Sequence, residues 1–163
     1  MPPTETPALP RRLAGMLYEA LLLIGVIAVL VLLPETIYAE HASRTAAPWL
    51  MWLHLELVLA AYFIWFWRHG GQTLAMKTWK IRLVPAQDRH DGSSGISLRQ
   101  ALLRHLLCWP SLALAGVGLL WALVDRDGQF LHDRLAGTCL ILVSAAPPTT
   151  ASRPQQTGKS RLA

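Results

Sequence analysis

The stretch at residues 13–33, LAGMLYEALLLIGVIAVLVLL, limits what this chain can fold into more than any other. Its 21 positions hold one ionisable residue, Glu19, and no proline. As a helix it covers roughly 31 Å, enough to cross a hydrocarbon core of about 30 Å. Beyond Glu19 no polar residue recurs at i, i+3, i+4 spacing, so the helix lacks the wet face a surface helix requires. It belongs in lipid or among other apolar helices. Arg11 and Arg12 precede it, as basic residues precede the apolar part of a signal peptide. That part usually runs about 7–15 residues, and this one is longer and contains Glu19, so an uncleaved first span is expected.

The rest of the chain agrees with a membrane setting. Only 15% of the 163 residues are charged and 53% are hydrophobic, whereas soluble domains carry about 25% charged residues. The net charge of +5 does not imply nucleic acid, because the arginines sit beside apolar runs and form no continuous stripe. Cys108 and Cys139 lie far apart in apolar stretches with no CxxC, as buried free thiols do.

Pro34 is expected to end the first span, leaving residues 35–48 as a loop with one cation, Arg44, against Glu35 and Glu40. The second run, residues 49–67, has tryptophans at both ends, as the headgroup belts favour. Its polar residues, His54 and Glu56, are two positions apart and point roughly 200° away from each other, so they do not share a site. Residues 70–95 are polar and basic, with a short interfacial helix expected within residues 72–80 and a strand-like IRLV at residues 81–84. Ser97 is placed to cap a helix containing Arg99, Arg104 and His105.

The third run, residues 106–124, is interrupted by Pro110, Gly116 and Gly118. It is either one kinked span or two short helices that dip in and return. Arg126 and Arg134 beside the membrane favour the return, as does pairing of WKIRLV with TCLILV as two surface strands. Seven Lys and Arg residues lie between the second and third runs and only Arg44 between the first and second. The positive-inside rule therefore puts the N-terminus and the central segment in the cytoplasm.

Three stretches resemble the RDD family of small bacterial inner-membrane proteins, named for one arginine and two aspartates: RRLAGMLYEALLL (11–23), GGQTLAMKTWKIRLV (70–84) and LHDRLAGTCLILV (131–143). The resemblance puts the family arginine at Arg12, the first aspartate at Glu19, one methylene longer, and the second at Asp133. Ala75 stands where a glycine is usual. Motif residues Gly71, Gln72, Thr73, Lys77, His132, Gly137 and Thr138 come with it. It implies two or more transmembrane helices and an association with transport.

The expected architecture is an all-α integral membrane protein with two to three transmembrane helices, the third in its alternative form a re-entrant hairpin. Short interfacial helices and a small strand pair complete it. Residues 1–10 and 145–163 read as disordered ends of one membrane domain, 11–144. Arg12, Glu19, Glu56, Asp133 and Arg134 are the candidate transport or structural residues. An intramembrane carboxylate such as Glu19 marks either an ion path or a tie to another helix. Asp133 opens an element, where a helix cap is the plainer reading and a cation pair the alternative. No nucleophile–base pairing, HExxH or phosphate-binding glycine loop is present, so neither catalysis, a cofactor nor a metal is expected. Expected partners are membrane lipids and further copies of the chain or another membrane protein. Function divides between movement of a monovalent cation or proton and a non-transporting scaffold that uses its basic surface.

Overall fold

The computed structural model describes residues 6–89, 94–113, 117–125 and 128–143. Helix α1 (Leu9–Ile27) continues through a π-helical turn (Ala28–Leu32) into α2 (Leu33–Ala42), one apolar rod of 34 residues. Pro34 does not end the span as expected. Its ring has no N–H and would strike the carbonyl four residues back in a regular helix. The π turn, closed by Leu33 N–H on Ala28 O, widens the spiral just before it and lets the helix pass. The rod stops at Ser43, whose left-handed φ of 52° ends α2, so most of the expected loop is helical.

Helix α3 (Pro48–Arg68) opens with proline in its first turn, where the missing N–H costs nothing. In both long helices only 6% of the most apolar window is buried within the chain. A soluble core helix would bury most of such a window. Surfaces carrying Trp52, Trp65, Leu21 and Ile24 therefore favour an apolar solvent, and both helices are long and apolar enough to cross a membrane.

A tight turn joins α3 to the surface layer. Gly71 has φ +71°, its carbonyl accepts from Leu83 N–H at 2.8 Å, and a Cβ there would lie 2.3 Å from Leu83 O. Only glycine fits. Thr73 caps α4 (Leu74–Thr78), the expected interfacial helix, by accepting Met76 N–H at 3.2 Å. Buried Ala75 packs within this layer beneath α1. Strand β1 (Ile81–Pro85) follows and pairs antiparallel with β2 (Thr138–Leu142), Leu83 opposite Leu140. The expected strand pair is present. Ile81, Leu83 and Leu140 join Trp67 of α3, Ala101 and Phe130 in the main core.

Ser97 and Gln100 form a reciprocal cap, with Gln100 N–H on Ser97 Oγ at 3.2 Å and Ser97 N–H on Gln100 Oε1 at 3.1 Å. Helix α5 (Leu98–Ala113) continues through Pro110, so the helix is not interrupted there as expected; residues 114–116, with Gly116, lie outside the described residues. Helices α6 (Val117–Val124) and α7 (Leu131–Leu135) lead back to β2. Gln100 donates to Gly137 O at 3.1 Å, Arg104 pairs with Asp133, and Ser111 meets His132 at 3.2 Å. Returning chain thus lies antiparallel on α5, and both ends of the segment meet at one sheet. At about 24 Å and 12 Å, α5 and α6 are each too short to span alone. Arg104, Asp133, Ser111 and His132 bring α5 and the chain after α6 together, the contact that the hairpin form of the third run requires.

The chain is also packed earlier than the composition of residues 1–10 implies. Pro7 is fully buried and α1 starts at Leu9, while residues 1–5 lie outside the described residues. Residues 144–163, including all of the expected tail, lie outside them too, as does Arg126.

Candidate functional site

A cavity of about 430 Å³ lies between α1, α3 and α5, closed at one end by Phe130 and the surface layer. Its walls are apolar, with Met16, Leu59 and Phe63 among them, and its polar groups gather from four elements. Ala20, Trp109 and Leu112 line it and are also exposed, so it opens sideways between α1 and α5.

Glu19 is buried in the cavity wall. Tyr62 of α3 donates its hydroxyl to Glu19 Oε1 at 2.7 Å, and the Thr73 hydroxyl donates to Oε2. One carboxylate therefore ties α1, α3 and α4 together. The Thr73 hydroxyl gives its proton to Glu19 and takes the Met76 N–H, which leaves it one further lone pair.

Arg12, which begins the same helix, is buried without a carboxylate partner among the described residues. Its Nε donates to Pro7 O at 2.6 Å, one terminal nitrogen donates to Gly128 O, and its guanidinium carbon lies 5.4 Å from the Phe130 ring centre. Arg12 and Glu19 make no direct bond, as their separation along the helix requires.

Asp133 does not cap α7; the N-cap, Phe130, makes no side-chain bond. Asp133 is instead paired with Arg104 of α5, and both are buried. A five-residue helix gains little from a cap, whereas a buried guanidinium requires a counter-charge. Arg104 also lies 4.9 Å from the Trp67 ring centre and 3.4 Å from Thr138 Oγ1. His132, between Ser111 and Asp133, has its imidazole pushed down to about 3 by burial and then by the Arg104 charge. Its folded state therefore resists protonation while the unfolded chain takes a proton near 6.5, so stability is whole above that value and falls as pH drops from 6.5 toward 3. Melting measured across that range should decline for the wild type and flatten for His132→Gln; parallel curves would refute the assignment.

Glu56 accepts from Trp109 Nε1 at 3.2 Å and pairs with His105 Nε2 at 2.8 Å, linking α3 to α5. His54 faces the other way, 3.5 Å from Glu35, outside the cavity. Arg134 leaves the site and pairs with Asp125 near the surface. Lys77 is exposed and lines nothing. Gln72 holds Ile81 O at 2.7 Å, and Gly137 turns at φ +65° into the buried Thr138. The family motifs thus build the surface layer more than the cavity. Sequence reasoning did not single out Tyr62, nor Arg104 and His105 as site residues. One signal was available for α5: Ala101, Arg104, Cys108 and Ser111 recur at helical spacing, a small-residue stripe with an arginine in it.

No solved structure matches the chain. Uncharacterized protein RP437 of Rickettsia prowazekii (strain Madrid E) is 30% identical over 86 residues, 52% of this chain and 44% of that protein. The chain therefore spans less than half the length of that curated relative. Residues 6–137 match the RDD family, most of the sequence and every element from α1 to α7, and with Arg12, Glu19 and Asp133 each in a buried polar role the chain belongs to that family.

Proposed function

We propose that this protein is a multi-pass protein of the bacterial inner membrane that moves, or helps to move, a proton or monovalent cation, with Glu19 as the group that takes up the ion. The carrying observation is Glu19 itself: a carboxylate in the wall of a cavity between apolar helices, held by two hydroxyls. Hydroxyls can turn from donor to acceptor when a carboxylate gains a proton, so the site accommodates both states without moving a helix. A proton is favoured over a metal ion because Arg12, with no carboxylate partner among the described residues, lines the same cavity and repels a cation that keeps its full charge. Two long helices and a short hairpin enclose little space, so a continuous path is completed by further copies or a membrane partner.

The test is pH-driven flux in proteoliposomes, which Glu19→Gln should abolish. Full flux in that variant would remove Glu19 from the mechanism. The rival reading, a scaffold engaging anionic lipid or a cytoplasmic partner, draws on the basic residues Lys77, Lys80, Arg82 and Arg89, of which Lys77 and Lys80 are exposed and the other two half-buried. It predicts no wild-type flux at all.

Orientation follows the distribution of positive charge. The surface layer and Ser94 belong in the cytoplasm and Ser43 in the periplasm. In a background lacking Cys108 and Cys139, cysteines introduced at Ser43 and Ser94 should label from opposite sides. A reporter fused after residue 163 should act on the Ser94 side, because β2 pairs with β1. Labelling of both cysteines from one side would reject this orientation.

A further inference from the structure

The basic end of the cavity is built for an anion. Among the described residues Arg12 has no carboxylate partner, and its hydrogen bonds go to the carbonyls of Pro7 and Gly128. Arg104 is buried, and its Nε has no acceptor among the described residues, although Asp133 answers its charge. Both arginines line the cavity, Arg12 over the Phe130 ring, which stacks on His132. Arg104 Nε is a buried guanidinium N–H without an acceptor, which is costly, and a ligand oxygen would satisfy it.

The remainder of the cavity fits a chain of methylenes. Met16, Leu59, Phe63 and Leu112 supply apolar walls, and the mouth at Ala20, Trp109 and Leu112 opens sideways between helices that face lipid. A volume of about 430 Å³ falls within the roughly 300–1,000 Å³ of small-molecule sites. A water-soluble anion would leave these walls unfilled, and a neutral lipid would leave the arginines unanswered. Glu19 does not oppose the head. It lies about 10 Å further along α1, with both oxygens already occupied by hydroxyls.

We propose that this cavity binds a single-chain amphiphile with an anionic head, its carboxylate or phosphate on Arg12 and Arg104 and its first methylenes between α1, α3 and α5. The inference goes beyond the proton reading and does not rest on it, since binding is measured without flux.

Purified full-length protein in a nonionic detergent is titrated with radiolabelled oleate, with 1-oleoyl-lysophosphatidate, and with neutral monooleoylglycerol, at a pH where oleate is ionised. At least one anionic probe should bind saturably and roughly tenfold or more tighter than the neutral one. Which of the two binds tighter identifies the head as carboxylate or phosphate. Arg12→Gln should weaken binding by a similar factor. Ala20→Phe fills the mouth from an exposed position and should abolish binding with melting unchanged, so the idea stays testable if Arg12→Gln fails to fold. Equal affinity for monooleoylglycerol, or undiminished binding in a folded Ala20→Phe variant, would overturn it.

Discussion

Asp133→Ala should lower stability by about 3–5 kcal/mol, the usual cost of leaving one partner of a buried ion pair alone. Asp133 is 1% exposed and Arg104 6%, so the charge left behind is poorly solvated. Thr138 Oγ1, at 3.4 Å, is a weak substitute. Asp133→Asn should cost nearly as much, because the amide keeps the shape but not the charge. The loss falls on the contact that docks α7 against α5, so it should also loosen β2 from β1. A paired replacement, Asp133→Leu with Arg104→Met, removes both charges and should recover most of the loss. Melting of the single and paired variants in detergent checks this. A paired variant no better than Asp133→Ala would show that packing around Arg104, not its charge, sets the stability.

Much of this arrangement could be read before the chain was folded. The apolar runs, the strand-like IRLV and TCLILV, the Ser97 cap and the divergence of His54 from Glu56 are properties of local spacing, and local spacing is visible in a sequence. Pro34 and Pro110 were misleading for a physical reason. Proline forbids a regular bond but not a helix, and a π turn at Ala28–Leu32 accommodates the first. The partners of Glu19 were not legible. Tyr62 and Thr73 lie 43 and 54 positions away, and only the packing of three elements brings them to one carboxylate. Arg104 looked like a residue at a membrane edge because its counter-charge, Asp133, reaches it only after the chain has turned back through α6. His105, the next residue, is rotated about 100° on the helix and so meets α3 rather than α7.

Glu19→Gln should eliminate pH-dependent flux while leaving a protein that inserts and melts close to the wild type. A glutamine carbonyl can keep the Thr73 donor, and its amide can donate to Tyr62, whose hydroxyl turns to accept. Both contacts survive, so the stability cost is that of weaker neutral bonds, about 1 kcal/mol. What glutamine cannot do is gain or lose a proton. Glu19→Asp keeps the titrating group but is a methylene short of reaching both hydroxyls, so it should retain flux with a lower melting point. Tyr62→Phe removes one donor and should weaken the α1–α3 tie without removing the carboxylate. If Glu19 is a structural tie alone, the order reverses: Gln and Phe variants both lose stability, and flux follows stability in every variant. Flux and melting measured on the same four preparations therefore separate a proton site from a clamp, and flux lost at normal melting in Glu19→Gln alone is the result that a clamp cannot produce.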